Sequence, residues 1–587
     1  MKESFQFNPD TIAYLLNKRA KTCPSDIAYC FPELHQYYAW GTIWEEVQLL
    51  ARGFLHLGIK KGDSIALLMT GRMELILSMF ATACVGAVIV PLNSYSKKDE
   101  IRAYLQSASP KAMIIGKEGH HLHYPSLLMD IITDCRQSEL ASPWLPAHIF
   151  VVDADDDQPA PLRSFTQLVK LASFTEEEEL RAACSLTNVK DPLILLHTSG
   201  TLGSPKGVLR TTASFLVATP VGKKSGKLTG MLQKMTDVIA RHFSVINLLP
   251  LYHLGGFGTI FTNLKVCNIR IVMLSYFHPI QAMKITEKEA CRIMIGTPYM
   301  VQRILSAAQG NFSSLSTLIG ISFTSAAVSS SLLRRVSEEL RLLFFMVTYG
   351  SSEAGSIANG TCFIGGQRNL LLSLLFKLLT RSHLLSGAVD FEQFEQNKHS
   401  LAGKIDRGVE VKIIHLETGE ELPSPQQGEI AVRSHRVLSN AKNQQGWPHF
   451  TPDGWYKTGD LGYLDENKLL TISGRLHRLI SRGGEKISPL EIEDSLLANP
   501  EVEEAFVLGI PDELYGEQVC ACIVARKGSN VNAQSIRNSL ALQVSAFKIP
   551  EHIVFLSELP LSSTGKISVV DIKLLVMKGM GEERVYA

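Results

Sequence analysis

The sequence predicts an α/β protein of at least two domains, and three observations carry that expectation. Its 587 residues exceed the ~100–200 that one hydrophobic core organises. Short apolar runs bounded by turn residues alternate with longer stretches of helical periodicity, the pattern of buried and largely parallel strands covered by helices. The composition, 45% hydrophobic and 20% charged, is that of an ordinary globular chain with ample core.

In chain order, MKESFQFNPDTIAYLLNKRAKTCPSD lacks the apolar centre of a secretory signal, and no uncharged run reaches the ~18–20 residues of a membrane span, so a cytoplasmic chain is expected. Strands are predicted for SIALLM (64–69), GAVIVPL (86–92), AMIIG (112–116), LILL (193–196) and IRIVML (269–274), each too short for a buried helix. Between the last two lies HTSGTLGSPKGV (197–208), with the strand-like DPLILLH before it and TTASFLVA, a helix start, after it. VGKKSGKLTGMLQKMTDVIA (221–240) reads as a basic, solvated surface helix. LLLSLLFKLLTRSHLL (370–385) is interrupted by Lys377 and Arg381; a buried or partly covered helix is expected there, with a peripheral membrane contact as the alternative. The texture changes near Gly474-Arg475 to a shorter α+β rhythm, with a helix at EIEDSLLANP (491–500) and strands at EEAFVLGI (503–510) and VCACIVAR (519–526). The domain boundary is placed there, giving a large N-terminal domain, 1–475, and a small C-terminal domain, 476–587.

Charge and cysteine usage exclude other classes. With 58 basic against 57 acidic residues, nothing favours a nucleic-acid partner. The 10 cysteines are scattered without Cys-x-x-Cys spacing, which suits free thiols in a reducing compartment. Cys520 and Cys522 alternate along VCACIV and are expected on one face of a strand rather than on a metal.

The loop at 197–208 has the chemistry of a phosphate site. Gly200, Gly203 and Gly207 let main-chain N–H groups approach an anion, Thr198, Ser199, Thr201 and Ser204 add hydroxyls, and Lys206 adds a positive charge. It is not a Walker loop, because Lys206 follows Pro205 and precedes Gly207. The order Thr-Ser-Gly-Thr-x-Gly-x-Pro-Lys-Gly resembles the phosphate loop of the adenylate-forming enzymes, the superfamily of acyl-CoA synthetases, luciferases and peptide-synthetase adenylation domains. VTYGSSEAG (347–355), GWYKTGDLGYLD (454–465), SGRLHRLISRGGEKISPLEIE (473–493) and LPLSSTGKI (559–567) follow in the superfamily's order, so that with the loop five motifs spread over about 370 residues.

That resemblance implies a fold and a site. The fold is a large N-terminal domain of parallel and mixed β-sheets sandwiched by helices, with a β-barrel-like subdomain and a small mobile α+β C-terminal domain. For ATP and AMP it implies Thr198, Ser199, Gly200, Thr201, Gly203, Lys206, Tyr349, Gly350, Ser352, Glu353, Asp460, Arg475 and Lys566. Tyr349 would offer its face to the base, Asp460 both carboxylate oxygens to the ribose, and Arg475 a contact to ribose and phosphate. Lys566, Glu353 and Lys206 would carry the catalysis, with Glu353 and Thr201 on Mg²⁺. The C-terminal domain would turn about His477, where the family usually has Asp or Lys, withdraw Lys566 and present Gly483 and Gly484 to coenzyme A. Tyr252, His253, Gly255, Thr297 and Ser325 would lie near the acyl group, and the Leu-rich segment could be a lid over it. Leu202 stands where a second loop Thr is common.

The function expected is an ATP-dependent two-step ligase that joins a carboxylic acid, a medium- or long-chain fatty acid by the texture of the flanks, to coenzyme A. No carrier domain follows Lys566 within the about 20 remaining residues. A ligase that loads fatty acid onto a carrier protein, and a non-catalytic nucleotide-binding module, are the alternatives. Partners are thus the acid, ATP and coenzyme A, in a monomer or homodimer with at most a peripheral membrane contact.

Overall fold

A computed structural model describes residues 7–120, 122–137, 142–198, 206–216, 243–265, 268–364, 387, 389–396, 400–437, 450–483, 485–561 and 567–583. The chain forms two compact units, one built on Met1–Ile295, the other on Gly296–Val437 and Gln445–Ala587. The expected surface helix at 221–240 and the Leu-rich 370–385 lie outside the described residues. No helix among the described residues is long and apolar enough to cross a membrane.

In the first unit, a sheet of seven strands among the described residues runs in the order Lys206–Thr211, Pro192–Thr198, Val88–Pro91, Ser64–Leu68, Ala112–Ile115, His148–Val151, Leu162–Ser164. All neighbours are parallel except the first pair. A parallel sheet must be covered on both faces. Ala66, Leu68, Met113 and Ile115 pack with Ile101 and Leu105 of helix Lys98–Ala108 and Leu128 and Ile131 of helix Tyr124–Gln137. The alternate residues Ile65, Leu67, Ile114 and Phe150 are equally buried on the opposite face. A second sheet carries Ile293–Gly296, Ser244–Asn247, Arg270–Met273 and Ile27–Phe31 in parallel, with Gln36–Ala39 antiparallel beside the last. The five apolar runs read as strands are strands in these sheets.

One connection differs from expectation. Between the Gly-rich loop and helix Thr212–Leu216, the chain forms strand Lys206–Thr211, which runs back antiparallel to Pro192–Thr198. The period-2 signal is short: Val208 and Arg210 are buried, while Gly207, Leu209 and Thr211 are half-buried. Arg210 donates from Nη2 to the Ser214 carbonyl at 3.2 Å, which ties this strand to the helix that follows it.

In the second unit, Gly320–Thr324 and Phe344–Ser351 pair in parallel, and an antiparallel ladder continues through Gly355–Phe363, Ser400–Ile405, Leu469–Arg475, Tyr456–Leu464, Gly428–Ser434 and Val409–Ile414. Its antiparallel part curls round a core of its own, with Ile357, Ala402, Ile413, Ile430, Val432, Tyr456 and Leu470. The C-terminal segment forms a separate sheet of Glu485–Ile487, Ile480–Arg482, Gly516–Ala525 and Val502–Asp512, with His552–Phe555 parallel to Gly516–Ala525. Alternation sorts its side chains between two cores. Val507, Val519, Ala521 and Ile523 face helices Pro489–Leu497 and Ala533–Ala541. Phe506, Leu508, Cys520 and Cys522 face helix Val569–Glu583. Cys520 and Cys522 thus share one strand face, as the alternation predicts.

Strand Val502–Asp512 carries a buried carboxylate, Glu504, whose side chain is 5% exposed and lies 3.8 Å from Nη1 of Arg303 on helix Pro298–Ala308. Burial pushes its pKa up to about 7; Arg303 opposes the rise, Glu503 and Glu558 add to it, and the Leu559 backbone opposes it. The native state therefore keeps a proton that the unfolded chain, titrating near 4.5, has lost. Unfolding free energy should fall as pH rises from about 4.5 to about 7, by on the order of 3 kcal/mol, and level off above. Urea titrations across this range should show a slope that Glu504→Gln flattens; identical slopes in both proteins would remove Glu504 as its source.

Candidate active site

The antiparallel ladder positions a carboxylate between a phenol and a guanidinium. Asp460 and Arg475 are cross-strand partners on Tyr456–Leu464 and Leu469–Arg475, and Arg475 Nε lies 2.9 Å from Asp460 Oδ1. From Phe344–Ser351, the Tyr349 hydroxyl donates to Asp460 Oδ2 at 2.8 Å. The Asp460 side chain is 6% exposed, whereas that of Arg475 is 52% exposed, so the pair opens toward solvent on the arginine side. A carboxylate offers about four lone-pair sites; among the described residues Asp460 accepts from Tyr349 and pairs with Arg475, which leaves acceptor capacity for a ligand.

Local geometry fixes this carboxylate. Gly459, with φ of +72°, makes the turn before it. The Thr458 hydroxyl accepts from Asp460 N at 3.1 Å and donates to the Ile430 carbonyl at 2.9 Å. Buried Glu429 accepts from Gly459 N at 3.2 Å and pairs with Lys457 at 3.0 Å. Gly350 must be glycine, since a Cβ there would stand 2.2 Å from the Gly355 carbonyl oxygen. Burial, reinforced by the Asp460 charge, drives the Tyr349 phenol well above its ordinary pKa, so it stays a donor.

Glu353 follows in the turn after Phe344–Ser351, where Ser351 Oγ accepts from Ala354 N at 3.1 Å. Its carboxylate makes no hydrogen bond or ion pair among the described residues and is half-exposed. Tyr456 feels it: burial first, then the Glu353 and Asp460 charges, raise the Tyr456 phenol. Ser352 is half-buried in the same turn. Tyr349, Gly350, Ser352, Glu353, Asp460 and Arg475, drawn from three distant stretches of sequence, thus belong to one strand assembly.

A buried network behind Tyr349 carries no signal in the sequence. Arg436, 3% exposed, pairs with Asp406 at 2.8 Å and donates to the Ser356 carbonyl at 2.9 Å. Asp406 accepts from Asn359 Nδ2 at 2.5 Å, and Asn359 Oδ1 accepts from the hydroxyl of Thr348, the neighbour of Tyr349, at 2.7 Å. Arg436→Met should cost about 3–5 kcal/mol in urea unfolding, because it strands a buried carboxylate, and Asp406→Asn added to it should recover part of the loss. A cost below about 1 kcal/mol would mean that Asp406 is relieved in another way.

The other predicted residues are placed as follows. Thr198 and Lys206 face each other in register at the base of the hairpin, while Ser199, Gly200, Thr201, Leu202 and Gly203 lie outside the described residues. His197, to which the sequence gives no role, precedes them: both ring nitrogens are buried without a hydrogen-bond partner among the described residues, and the ring centroid lies 4.7 Å from that of Tyr104. Burial lowers its pKa to about 4, so it is a neutral imidazole at the loop's entrance. Tyr252 and His253 sit in the first unit with ring centroids 4.6 Å apart, just before helix Leu254–Lys265, whose first turn holds Gly255. In the second unit, Thr297 caps helix Pro298–Ala308 by accepting from Met300 N at 3.1 Å, and Ser325 is exposed at φ of +71°. His477 lies in the short turn Leu476–Arg478, its pKa lowered by burial and then by Arg475. Gly483, at φ of +58°, donates to the Tyr515 carbonyl at 2.8 Å. Gly484 and Lys566 lie outside the described residues.

A profile of the AMP-binding enzyme family matches residues 16–440, and one of the AMP-binding enzyme C-terminal domain matches residues 491–566. The mitochondrial medium-chain acyl-CoA ligase ACSF2 of Mus musculus is 26% identical over 573 residues, covering 95% of this chain and 87% of the relative. Among solved structures, ATP-bound MatB from Rhodopseudomonas palustris superposes with a TM-score of 0.73 at 20% identity, covering 96% of this chain and 98% of that one. The anthranilate CoA ligase AuaEII in complex with anthranoyl-AMP gives 0.74 at 20% identity, covering 99% and 100%.

Proposed function

The chain belongs to the AMP-binding enzyme family, and from that premise we propose that it is an AMP-forming acyl-CoA ligase acting on a medium- or long-chain fatty acid. The observation that carries this reading is the Tyr349–Asp460–Arg475 group, a buried carboxylate with acceptor capacity left over among the described residues and a cation at its open side. Such a group binds a ribose diol through both hydroxyls and leaves the guanidinium to the phosphate.

In the first step a carboxylate oxygen of the acid attacks the α-phosphorus of ATP, and the bond to the bridging oxygen breaks, releasing pyrophosphate. Asp460 holds the ribose, Tyr349 keeps Asp460 oriented and borders the base, and Arg475 with Lys566 offsets the negative charge at the α-phosphate. Lys206 and the loop hydroxyls take the departing phosphates. In the second step the coenzyme A sulfur attacks the acyl carbon, AMP leaves as the acyl–oxygen bond breaks, and the thiol proton passes to solvent. Residues 476–587 act as the moving part, turning at His477 to exchange Lys566 for the loop at Gly483. Glu353 fits a divalent cation, being a half-exposed carboxylate with no partner among the described residues; Thr201 would be the second ligand. When bound, Mg²⁺ supplies charge neutralisation of the phosphates.

The name of the Mus musculus relative supports the fatty-acid class and coenzyme A as acceptor. A pyrophosphate-release screen over straight-chain acids of graded length, with and without coenzyme A, tests both halves. The expected result is a maximum at medium or long chains, with AMP and acyl-CoA produced in equal amounts. Turnover that is indifferent to coenzyme A but rises with a phosphopantetheinylated carrier protein would replace the acceptor.

A further inference from the structure

Residues 476–587 have cores of their own. Strand Val502–Asp512 nevertheless touches helix Pro298–Ala308, which lies ahead of the turn at His477, and does so through polar groups. Gln302 donates from Nε2 to the Glu503 carbonyl. Arg303 Nη1 lies 3.8 Å from Glu504 Oε1 and 3.9 Å from Glu558 Oε2, and it donates to the Tyr299 hydroxyl at 3.4 Å. The other Glu504 oxygen, Oε2, is buried with no hydrogen bond among the described residues. Helix Ser330–Glu339 approaches the start of the same strand. There Arg526 donates from Nε to the Val502 carbonyl at 3.3 Å, and its pKa is lowered by burial and then by Arg335, against Glu339 and Glu503.

Such a contact is easily broken. Ion pairs near 4 Å gain little, a buried carboxylate with an unpaired oxygen is costly, and only a large apolar seam would fix the two parts together. We propose that Gln302, Arg303 and Glu504 are positioning residues for the two-step reaction, whose contact holds the C-terminal segment in one working orientation and releases it for the other. The inference rests on the proposed cycle, in which that segment turns. A proton tunes the hold. Docked, the Glu504 carboxyl is pushed up to about 7 by burial; released into water, it returns to its ordinary 4.5. The docked form thus keeps a proton that the released form gives up between these values. Raising the pH therefore favours release, by at most about 20-fold between pH 5.5 and 7.5. Tyr299, pushed up to about 12 by burial and then by Glu504, stays neutral throughout. The other charged groups that face the contact among the described residues are Arg303, Glu503, Glu558, Arg335, Glu339 and Arg526.

Two readouts on the full-length protein test this. In Arg303→Met, acid-dependent ATP–pyrophosphate exchange and acyl-CoA formation from supplied acyl-AMP should move in opposite directions, shifting their ratio about fivefold. Arg303→Lys keeps the charge and should restore most of that ratio, whereas a merely structural loss would lower both rates alike. The second readout needs no substrate: hydrogen exchange of the peptide that holds Pro298–Ala308, corrected for the intrinsic rate at each pH. Wild-type protection should fall several-fold from pH 5.5 to 7.5, and Glu504→Gln should flatten that fall. Equal changes of both half-reactions in Arg303→Met, or wild-type protection that ignores pH, overturns the proposal. Protection that falls with pH in a protein that activates no acid would uphold the contact and defeat the ligase reading instead.

Discussion

Lys566→Ala should lower the rate of adenylate formation about 10²–10³-fold, read as acid-dependent ATP–pyrophosphate exchange. The lysine is proposed to offset charge that develops on the α-phosphate, an interaction stronger in the transition state than in the bound substrates, so the loss should fall on kcat rather than on KM for ATP. The second step makes no use of this lysine in the proposed cycle. Acyl-CoA formation from supplied acyl-AMP should therefore stay within a few-fold of wild type. Equal losses in both assays would mean that the variant is misfolded or that the two steps share the residue.

Asp460→Ala should act at the other end of the nucleotide and in the other kinetic parameter. Two hydrogen bonds to a carboxylate, each about 1.5–3 kcal/mol, are lost together, so kcat/KM for ATP should fall about 10²–10⁴-fold, mostly through KM. The Arg475 side chain, 52% exposed, can rehydrate when its partner goes, so the cost to folding, about 1–3 kcal/mol, comes mainly from the buried Tyr349 hydroxyl left without its acceptor. Asp460→Asn retains the shape and one acceptor and should lose less. An Asp460→Ala enzyme with unchanged KM for ATP would exclude the ribose role. Because Lys566→Ala changes kcat and Asp460→Ala changes KM, the two variants separate chemistry from nucleotide binding.

The site was readable to different depths along the chain. Tyr349, Gly350 and Asp460 were legible through the resemblance of their motifs, and the structure adds a local reason for the glycines beside them: the close approach of Gly350 to Gly355 and the positive φ of Gly459. The C-terminal strands were legible because Phe506, Val507 and Leu508 alternate between two cores. Strand Lys206–Thr211 was passed over because a six-residue strand beside a glycine-rich loop gives only two buried positions of period-2 signal. Arg436 and Asp406 were not legible at all. They are 30 residues apart, and nothing in local composition says that two charged residues so placed will be buried together.

The sequence by itself determined the α/β class, the strands that lie in clear apolar runs, the order of the motifs and, through their resemblance, the residue types expected for phosphate, ribose and thiol chemistry. Those properties are local, set by side-chain periodicity and by backbone conformations that few residues adopt. The tertiary structure alone decided that Tyr349 and Arg475 meet on opposite oxygens of Asp460, that a buried Arg436–Asp406 pair stands behind them, and that burial pushes the Glu504 carboxyl up to about 7. These depend on strand register and burial, since a hydrogen bond or a shifted pKa arises from which groups share a low-dielectric space, and chain order does not encode that sharing.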